Sequence, residues 1–395
     1  MNLKERIIEL AKQFSAEYVG VRRVIHQHPE LSFKEINTSI LIRKELLKIG
    51  IADIVSVAET GLLATLHGRE KGKTVLLRAD MDALPIQEEN QVDYASSIAG
   101  VMHACGHDVH MSSLLLTARI LFQLRSEFTG TVKLLFQPGE ELMPGGATLV
   151  MKEKAYQKLG TVPHLGQHVM PKLPAGKVGF RSGQFMASMD EIYLTVIGKG
   201  GHAAVPEECI DPILIASHII VASQQLVSRM ASPKMPSVLS FGRIIGDGAN
   251  NIIPDRVTIE GTFRTYDENW RALAIEKLTK LAKAIADGMG GECYVNIPKG
   301  YPHLNNDVRL TNAMKNSAIA FLGGENVVDL DLWMAAEDFA YYSQMNPACF
   351  YLLGVGNKEK GITSGLHTAT FNIDEVALET GGGLMAWLSI EALEQ

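Results

Sequence analysis

Between His103 and His110 the stretch HACGHDVH places three histidines, a cysteine and an aspartate within eight residues of a chain with only 12 histidines in 395. Imidazole and thiolate are the donors that borderline divalent metals prefer. Cys105 and His107, on either side of Gly106, can face one ion from a tight turn. The same residues allow a second chemistry, a Cys105 thiolate activated by His103 or His107 as a nucleophile. A third reading is structural, with histidines capping a helix and Cys105 packed as a small hydrophobe.

Other segments bear on the choice. FQPGEE ends an apolar run with Glu140 and Glu141, and no lysine or arginine run lies beside them. Adjacent carboxylates disfavour each other's ionisation unless a positive charge shares the site, and a metal dication supplies one. One glutamate can then be a ligand while the other acts as general base toward water. LGQHVMP puts His168 after a short apolar run, and SGLHTATFNID puts His367 in a loop near the C-terminus. Cys105, His107, Glu141, His168 and His367 together make a two-metal ligand list. RADMDALP adds Asp80 and Asp82 at a strand end. Asp82 can accept the free ring N–H of a ligating histidine, or both aspartates can cap the turn that follows.

Residues so far apart need a scaffold that gathers them. The first part of the chain reads as a helix over about 3–28, a second through 36–49, then short apolar runs at GLLATLHG and TVLLRADMDAL. The helical pattern SSLLLTARILFQL and the strand TVKLLFQ follow. Alternating strands and helices predict an α/β catalytic domain with a mainly parallel central sheet flanked by helices. Ligands collect at the carboxyl ends of strands in such sheets, where the loops begin.

The middle of the chain has a different rhythm. DEIYLTVIGKG, DPILIASHIIVASQQLVSRM, SVLSFGRIIGD, RVTIEGTFRT, NWRALAIEKLTKLAKAIADGMG and ECYVNIP alternate as β-α-β-β-α-β, a ferredoxin-like α+β order. An inserted domain is therefore expected over 182–298, with 1–181 and 299–395 forming the catalytic domain. The length agrees, because 395 residues exceed what one core usually supports. With 46% hydrophobic and 21% charged residues the composition is that of a globular protein.

A net charge of −7 and the lack of a basic cluster argue against nucleic acid as a partner. No run of about 18 uncharged apolar residues suggests a membrane span, and MNLKERIIEL reads as a charged amphipathic helix. A cytoplasmic location is the expectation. The four cysteines, Cys105, Cys209, Cys293 and Cys349, lie far apart and are expected to be reduced.

RADMDALP, HACGHDVHMSSLL, FQPGEE, GKGGHAAVPEECIDPI, NIIPD, GTFRT, AAEDFAYYSQMNPACFYLLG and GLHTATFNIDE occur in one order across nearly the whole chain. In that order they resemble the amidohydrolase branch of the aminoacylase and carboxypeptidase family of zinc-dependent hydrolases. The branch includes N-acyl-amino-acid amidohydrolases, hippurate hydrolases, auxin-conjugate hydrolases and N-acetyldiaminopimelate deacetylase.

The resemblance implies a binuclear metal centre in the catalytic domain and an inserted domain that serves as lid and homodimer contact. It implies Cys105, His107, Glu141, His168 and His367 as ligands, Glu140 as general base and Asp82 as the aspartate behind a ligand. His202, in GKGGHAAVP, resembles a histidine that polarises the scissile carbonyl, often in the partner subunit's site. Asn251 and Arg264 sit where relatives contact substrate. The substrate implied is a small N-acyl amino acid, cleaved at its amide bond.

Two departures stand out. Asp80-Met81-Asp82 and Cys105-Gly106-His107 replace a His-x-Asp motif and a bridging aspartate found outside this branch. The thiolate suits zinc, while manganese, cobalt or nickel are alternative working ions. Many relatives also have alanine where FQPGEE has Gly139, and glycine is expected to be tolerated there.

Overall fold

The computed structural model describes residues 2–395. In chain order, α1 (Leu3–Gln27) and α2 (Ile36–Ile49) precede β1 (Ile54–Val57), β2 (Gly61–His67) and β3 (Thr74–Asp80). There follow α3 (His107–Gln123), β4 (Thr131–Gln137), β5 (His164–Pro174) and β6 (Val178–Phe180). Next come β7 (Asp190–Ile197), α4 (Pro212–Ser223), β8 (Ser237–Ile245), β9 (Arg256–Thr265), α5 (Glu268–Gly288) and β10 (Glu292–Asn296). The chain closes with α6 (Val308–Leu322), β11 (Val327–Asp329), β12 (Ala348–Gly356) and α7 (Ala377–Glu394).

Two compact units result. One contains the chain up to Gly183 with Asn305–Asp331 and Asp338–Gln395; the other contains Gln184–Leu304 with Leu332–Glu337. The short return segment joins the second unit through the bridge of Met186 to Trp333.

The first unit is built on an eight-stranded sheet in the order β1-β2-β4-β3-β5-β12-β6-β11. β3 runs parallel to β4 and β5, and β12 runs parallel to β5. β1 with β2, β2 with β4 and β12 with β6 are antiparallel. Every residue of β12 is buried, as is nearly all of β2 and β3. Strands covered on both faces read as continuous apolar runs, which is why CFYLLGVG and GLLATL show no alternation. Helices α1, α3 and α7 pack on one another, and α3 and α7 also pack on the sheet. The entry to α1 is fixed by a capping box: Asn2 and Glu5 each accept the other's backbone N–H, a device that stabilises a helix by about 1 kcal/mol.

The second unit holds an antiparallel four-stranded sheet in the order β8-β9-β7-β10, with α4 and α5 in contact with each other and with the sheet. This is the ferredoxin-like order read from the sequence. Along β7, Ile192, Leu194 and Val196 are buried while the residues between them are not, the period of a half-covered strand. They pack with Ile215 and Ile219 of α4 and Leu278 of α5. Each such burial stabilises by about 1.5–3 kcal/mol. Pro212–Met230 is long and apolar enough to cross a membrane by length and composition, yet Ile215, Ala216, Ile219 and Leu226 lie in this core.

Candidate metal centre

Three parallel strands deliver the site at their carboxyl edge. Asp80 ends β3 opposite Gln137, the last residue of β4, so Asp82 and the Glu140–Glu141 pair leave the sheet side by side. β3 and β5 pair Leu76 with His164 and Arg78 with Gly166, a register that carries His168 level with Asp80. His107 is the first residue of α3, and His367 lies in the loop between β12 and α7.

Backbone conformation aims the two loops. Gly106 sits at φ +78° before α3, where a Cβ would lie 2.5 Å from Val169 Cγ2. An L side chain there would be both strained and crowded, so glycine is what lets Cys105 and His107 face one point. Gly139 has φ +62°, and a Cβ on it would lie 2.3 Å from the Phe33 ring. Glycine at this position is therefore demanded by the packing, a stronger condition than tolerance. His367 itself holds φ +59°, and its N–H donates to Ala104 O at 2.9 Å, tying its loop to the cysteine loop. Positive φ at a residue other than glycine costs on the order of 1–3 kcal/mol and clusters at functional sites.

The five donors read from the sequence converge within the first unit. Cys105 Sγ is 3.4 Å from His168 Nε2 and 3.3 Å from His367 Nε2. Glu141 Oε1 is 3.4 Å from His367 Nε2 and 3.9 Å from His107 Nε2. The donor atoms of Cys105, His107 and His168 lie within 4.8 Å of one another, as do those of Cys105, Glu141 and His367, and those of His107, Glu140 and Glu141. These overlapping triads form one continuous cage. Cys105, His107, His168 and Glu140 are buried, whereas the His367 side chain is 53% exposed and marks the open side.

The chemistry of these groups fits divalent ions. Among the described residues, His107 Nε2 and Glu141 Oε1 are buried without a hydrogen-bond partner, and an uncompensated polar atom is costly. His168 Nδ1 donates to the Val169 carbonyl at 2.8 Å, a tautomer that presents the Nε2 lone pair toward Cys105. Burial and the charges of Glu141, Glu140 and Asp80 push the Cys105 thiol well above its usual pKa. Among those carboxylates a nucleophilic thiolate would be poorly activated, while a dication would compensate all of these groups at once. Burial disfavours the His107 cation, but Asp80, Asp82 and Glu141 outweigh it and raise the group to about 10.

A further cluster brings Asp80 and His110 together with His107, and within it Asp80 and His110 already satisfy each other. Val169 N–H donates to His110 Nε2 at 2.9 Å, so His110 Nδ1 carries the proton it gives Asp80 Oδ1 at 2.6 Å. Asp80 Oδ2 is 2.6 Å from Arg78 Nη1. Both oxygens of Asp80 are thus engaged, and it braces His110 where the sequence had suggested a turn cap. Asp82 Oδ1 lies 3.3 Å from His107 Nδ1.

Asp108 supports the helix start. Its Oδ2 is 2.6 Å from Arg22 Nε and 2.8 Å from His26 Nδ1, all three being buried. Sequence reading did not single out Arg22, Arg78 or Asp338. The available signal was a charged residue inside an apolar stretch, as in TVLLRAD, because a buried charge must be paired.

His202, Asn251 and Arg264 belong to the second unit. His202 is exposed and pairs with Ile252, and the next N–H, from Ala203, donates to Asn251 O at 3.0 Å, so these two segments are neighbours. Arg264 is half-buried on β9 and donates to Met334 O at 2.9 Å. Burial lowers its pKa, and among the described residues no carboxylate pairs with it.

The chain is similar to known proteins along most of its length. Residues 76–388 match the model of peptidase family M20/M25/M40. An N-acetylcysteine deacetylase of Bacillus subtilis is 37% identical, over 97% of this chain and 98% of that protein. An IAA-amino acid hydrolase of Arabidopsis thaliana is also 37% identical, over 99% of this chain and 89% of that one. A crystal structure of a B. subtilis dinuclear metal-binding peptidase superposes with a TM-score of 0.83 at 36% identity, over 97% of this chain and 99% of that one.

Proposed function

The chain belongs to peptidase family M20/M25/M40, a family of hydrolases, and from that premise we propose that it cleaves the amide bond of N-acyl amino acids, releasing a carboxylic acid and a free amino acid. The observation that carries this reading is the convergence of Cys105, His107, Glu141, His168 and His367 around one cage with Glu140 beside it.

Those five residues would hold two divalent ions, zinc first, with manganese, cobalt or nickel as the other candidates. Ions bound there would supply a Lewis acid and lower the pKa of the attacking water. Glu140 takes the water's proton and passes it to the leaving amine. Asp82, accepting the backbone N–H groups of Glu140 and Glu141 at 3.0 and 2.9 Å, holds base and ligand in fixed relation. His202 polarises the scissile carbonyl by donating to its oxygen, a contribution on the order of a few kcal/mol. Arg264 receives the substrate carboxylate, supported by its half-buried guanidinium with no acidic partner among the described residues, and Asn251 contacts substrate beside His202.

The second unit is assigned as lid and homodimer contact. Support for the dimer comes from apolar side chains left exposed on α4 and the edge strand β8, namely Ile213, Leu214, Val221 and Ile244. Mixing a His202→Ala chain with a Glu140→Ala chain tests whether a site is shared between subunits, because only a shared site regains activity in mixed dimers. The test of the base is Glu140→Ala alone, expected to lower kcat by about 10²- to 10⁴-fold with bound metal unchanged. Near-normal activity in that variant would contradict the assignment.

A further inference from the structure

Arg78 lies within β3 and is 1% exposed. Its Nη1 is 2.6 Å from Asp80 Oδ2, its Nη2 is 2.7 Å from Asp338 Oδ1, and its Nε donates to Gln137 Oε1 at 3.1 Å. The Gln137 amide donates to both oxygens of Asp338 at 2.9 and 2.8 Å, and Ala147 N–H donates to Asp338 Oδ2 at 2.9 Å. Tyr342 O–H completes the cluster by donating to Gln137 Oε1 at 2.9 Å. Gln137, Asp80 and Asp338 are each fully buried.

A buried ion pair is weak support for stability, since desolvation offsets its attraction. What this one does is fix a backbone. The N–H of Asp338 donates to Glu140 Oε1 at 3.3 Å. Glu140 is thereby held twice, at its own N–H by Asp82 at 3.0 Å and at its carboxylate by Asp338. The terminal torsion of a glutamate is broad and soft, so a carboxylate without such a donor samples many orientations. Proton transfer needs one of them, and a misplacement of about 1 Å can cost on the order of 10²-fold.

We infer that Arg78 and Asp338 are positioning residues for Glu140: their ion pair holds the Asp338 backbone where its N–H orients the Glu140 carboxylate. The inference rests on the reading of Glu140 as general base. It extends that reading to Asp338, whose N–H reaches Glu140, and to Arg78 of β3, which acts through Asp338.

The test uses the full metal-loaded chain at pH 8, with Asp338→Asn and Arg78→Lys as conservative variants. Asp338→Asn is expected to lower kcat about 10- to 100-fold, with KM within about twofold and metal content equal to that of the unaltered chain. The solvent isotope effect on kcat should rise, because a misoriented base makes proton transfer limiting. Arg78→Lys, which keeps the charge, should fall between the two. A crystal structure of metal-loaded Asp338→Asn should show the contact from residue 338 N–H to Glu140 Oε1 broken while Glu141 stays in place.

An unchanged kcat in Asp338→Asn, beside an inactive Glu140→Ala, would overturn the positioning role alone. Activity retained in Glu140→Ala would instead overturn the base itself. A contact that survives in the Asp338→Asn crystal overturns the inference whatever the kinetics, and so does failure of both variants to fold, which would make the pair a stability element.

Discussion

Asp82 Oδ1 stands 3.3 Å from His107 Nδ1, and the same carboxylate accepts the backbone N–H of Glu140 at 3.0 Å. One side chain just beyond β3 therefore sets a ligand candidate and a base candidate against each other. Ser32 O–H donates to the other oxygen at 2.6 Å, so the carboxylate cannot swing freely. Replacing Asp82 with alanine should weaken metal binding about 10- to 100-fold and lower kcat as well. Competition with a chelator measures the first effect. Unaltered affinity would separate Asp82 from the centre.

Metal uptake should release protons. In the metal-free chain at pH 7, the His107 pKa near 10 and the raised Cys105 thiol mean that both groups carry protons. A metal needs both deprotonated, so affinity should rise with pH. Calorimetric titration in buffers of different ionisation enthalpy should give buffer-dependent heats, and buffer-independent heats would contradict this account.

The paired Arg22 and Asp108, at the helix start that carries His107, predict a stability effect. Removing one partner leaves a buried charge uncompensated, and Asp108→Asn should cost about 3–5 kcal/mol in denaturant unfolding at pH 7. Burial opposes ionisation of Asp108, but Arg22 and His26 outweigh it and hold the carboxyl well below its usual range. A depressed folded pKa stabilises fully above the unfolded value and is lost as pH falls beneath it. The unaltered chain should therefore lose stability below about pH 4 more steeply than Asp108→Asn does.

Gly139→Ala should destabilise by about 1–3 kcal/mol, through its positive φ and the Phe33 ring. Pairing it with Phe33→Ala should remove the clash but not the strain. A thermal midpoint equal to that of the unaltered chain would show that the loop reshapes without cost.

Much of this was legible in the sequence because it is written in local patterns. Apolar runs marked β2, β4 and β12, alternation marked β7, and donor residues in the loops and at strand ends marked the cage. What escaped was long-range pairing: nothing local in VRRVIHQH announces that Arg22 meets Asp108, 86 residues away. Nor does AAEDF announce that Asp338 meets Arg78, 260 residues away. Charge pairing across a sheet depends on topology, which one-dimensional periodicity does not carry. The strain at Gly139 was missed for a similar reason, since Phe33 reaches it from the loop between α1 and α2.

The most direct measurement is hydrolysis of N-acetyl, N-benzoyl and indole-acetyl amino acids and a few dipeptides by metal-stripped protein, with zinc, manganese, cobalt or nickel added back. The account predicts no turnover without metal, its return on addition, and N-acyl amino acids as the substrates cleaved. Turnover that persists in the stripped protein and dies with a thiol-alkylating reagent would contradict it.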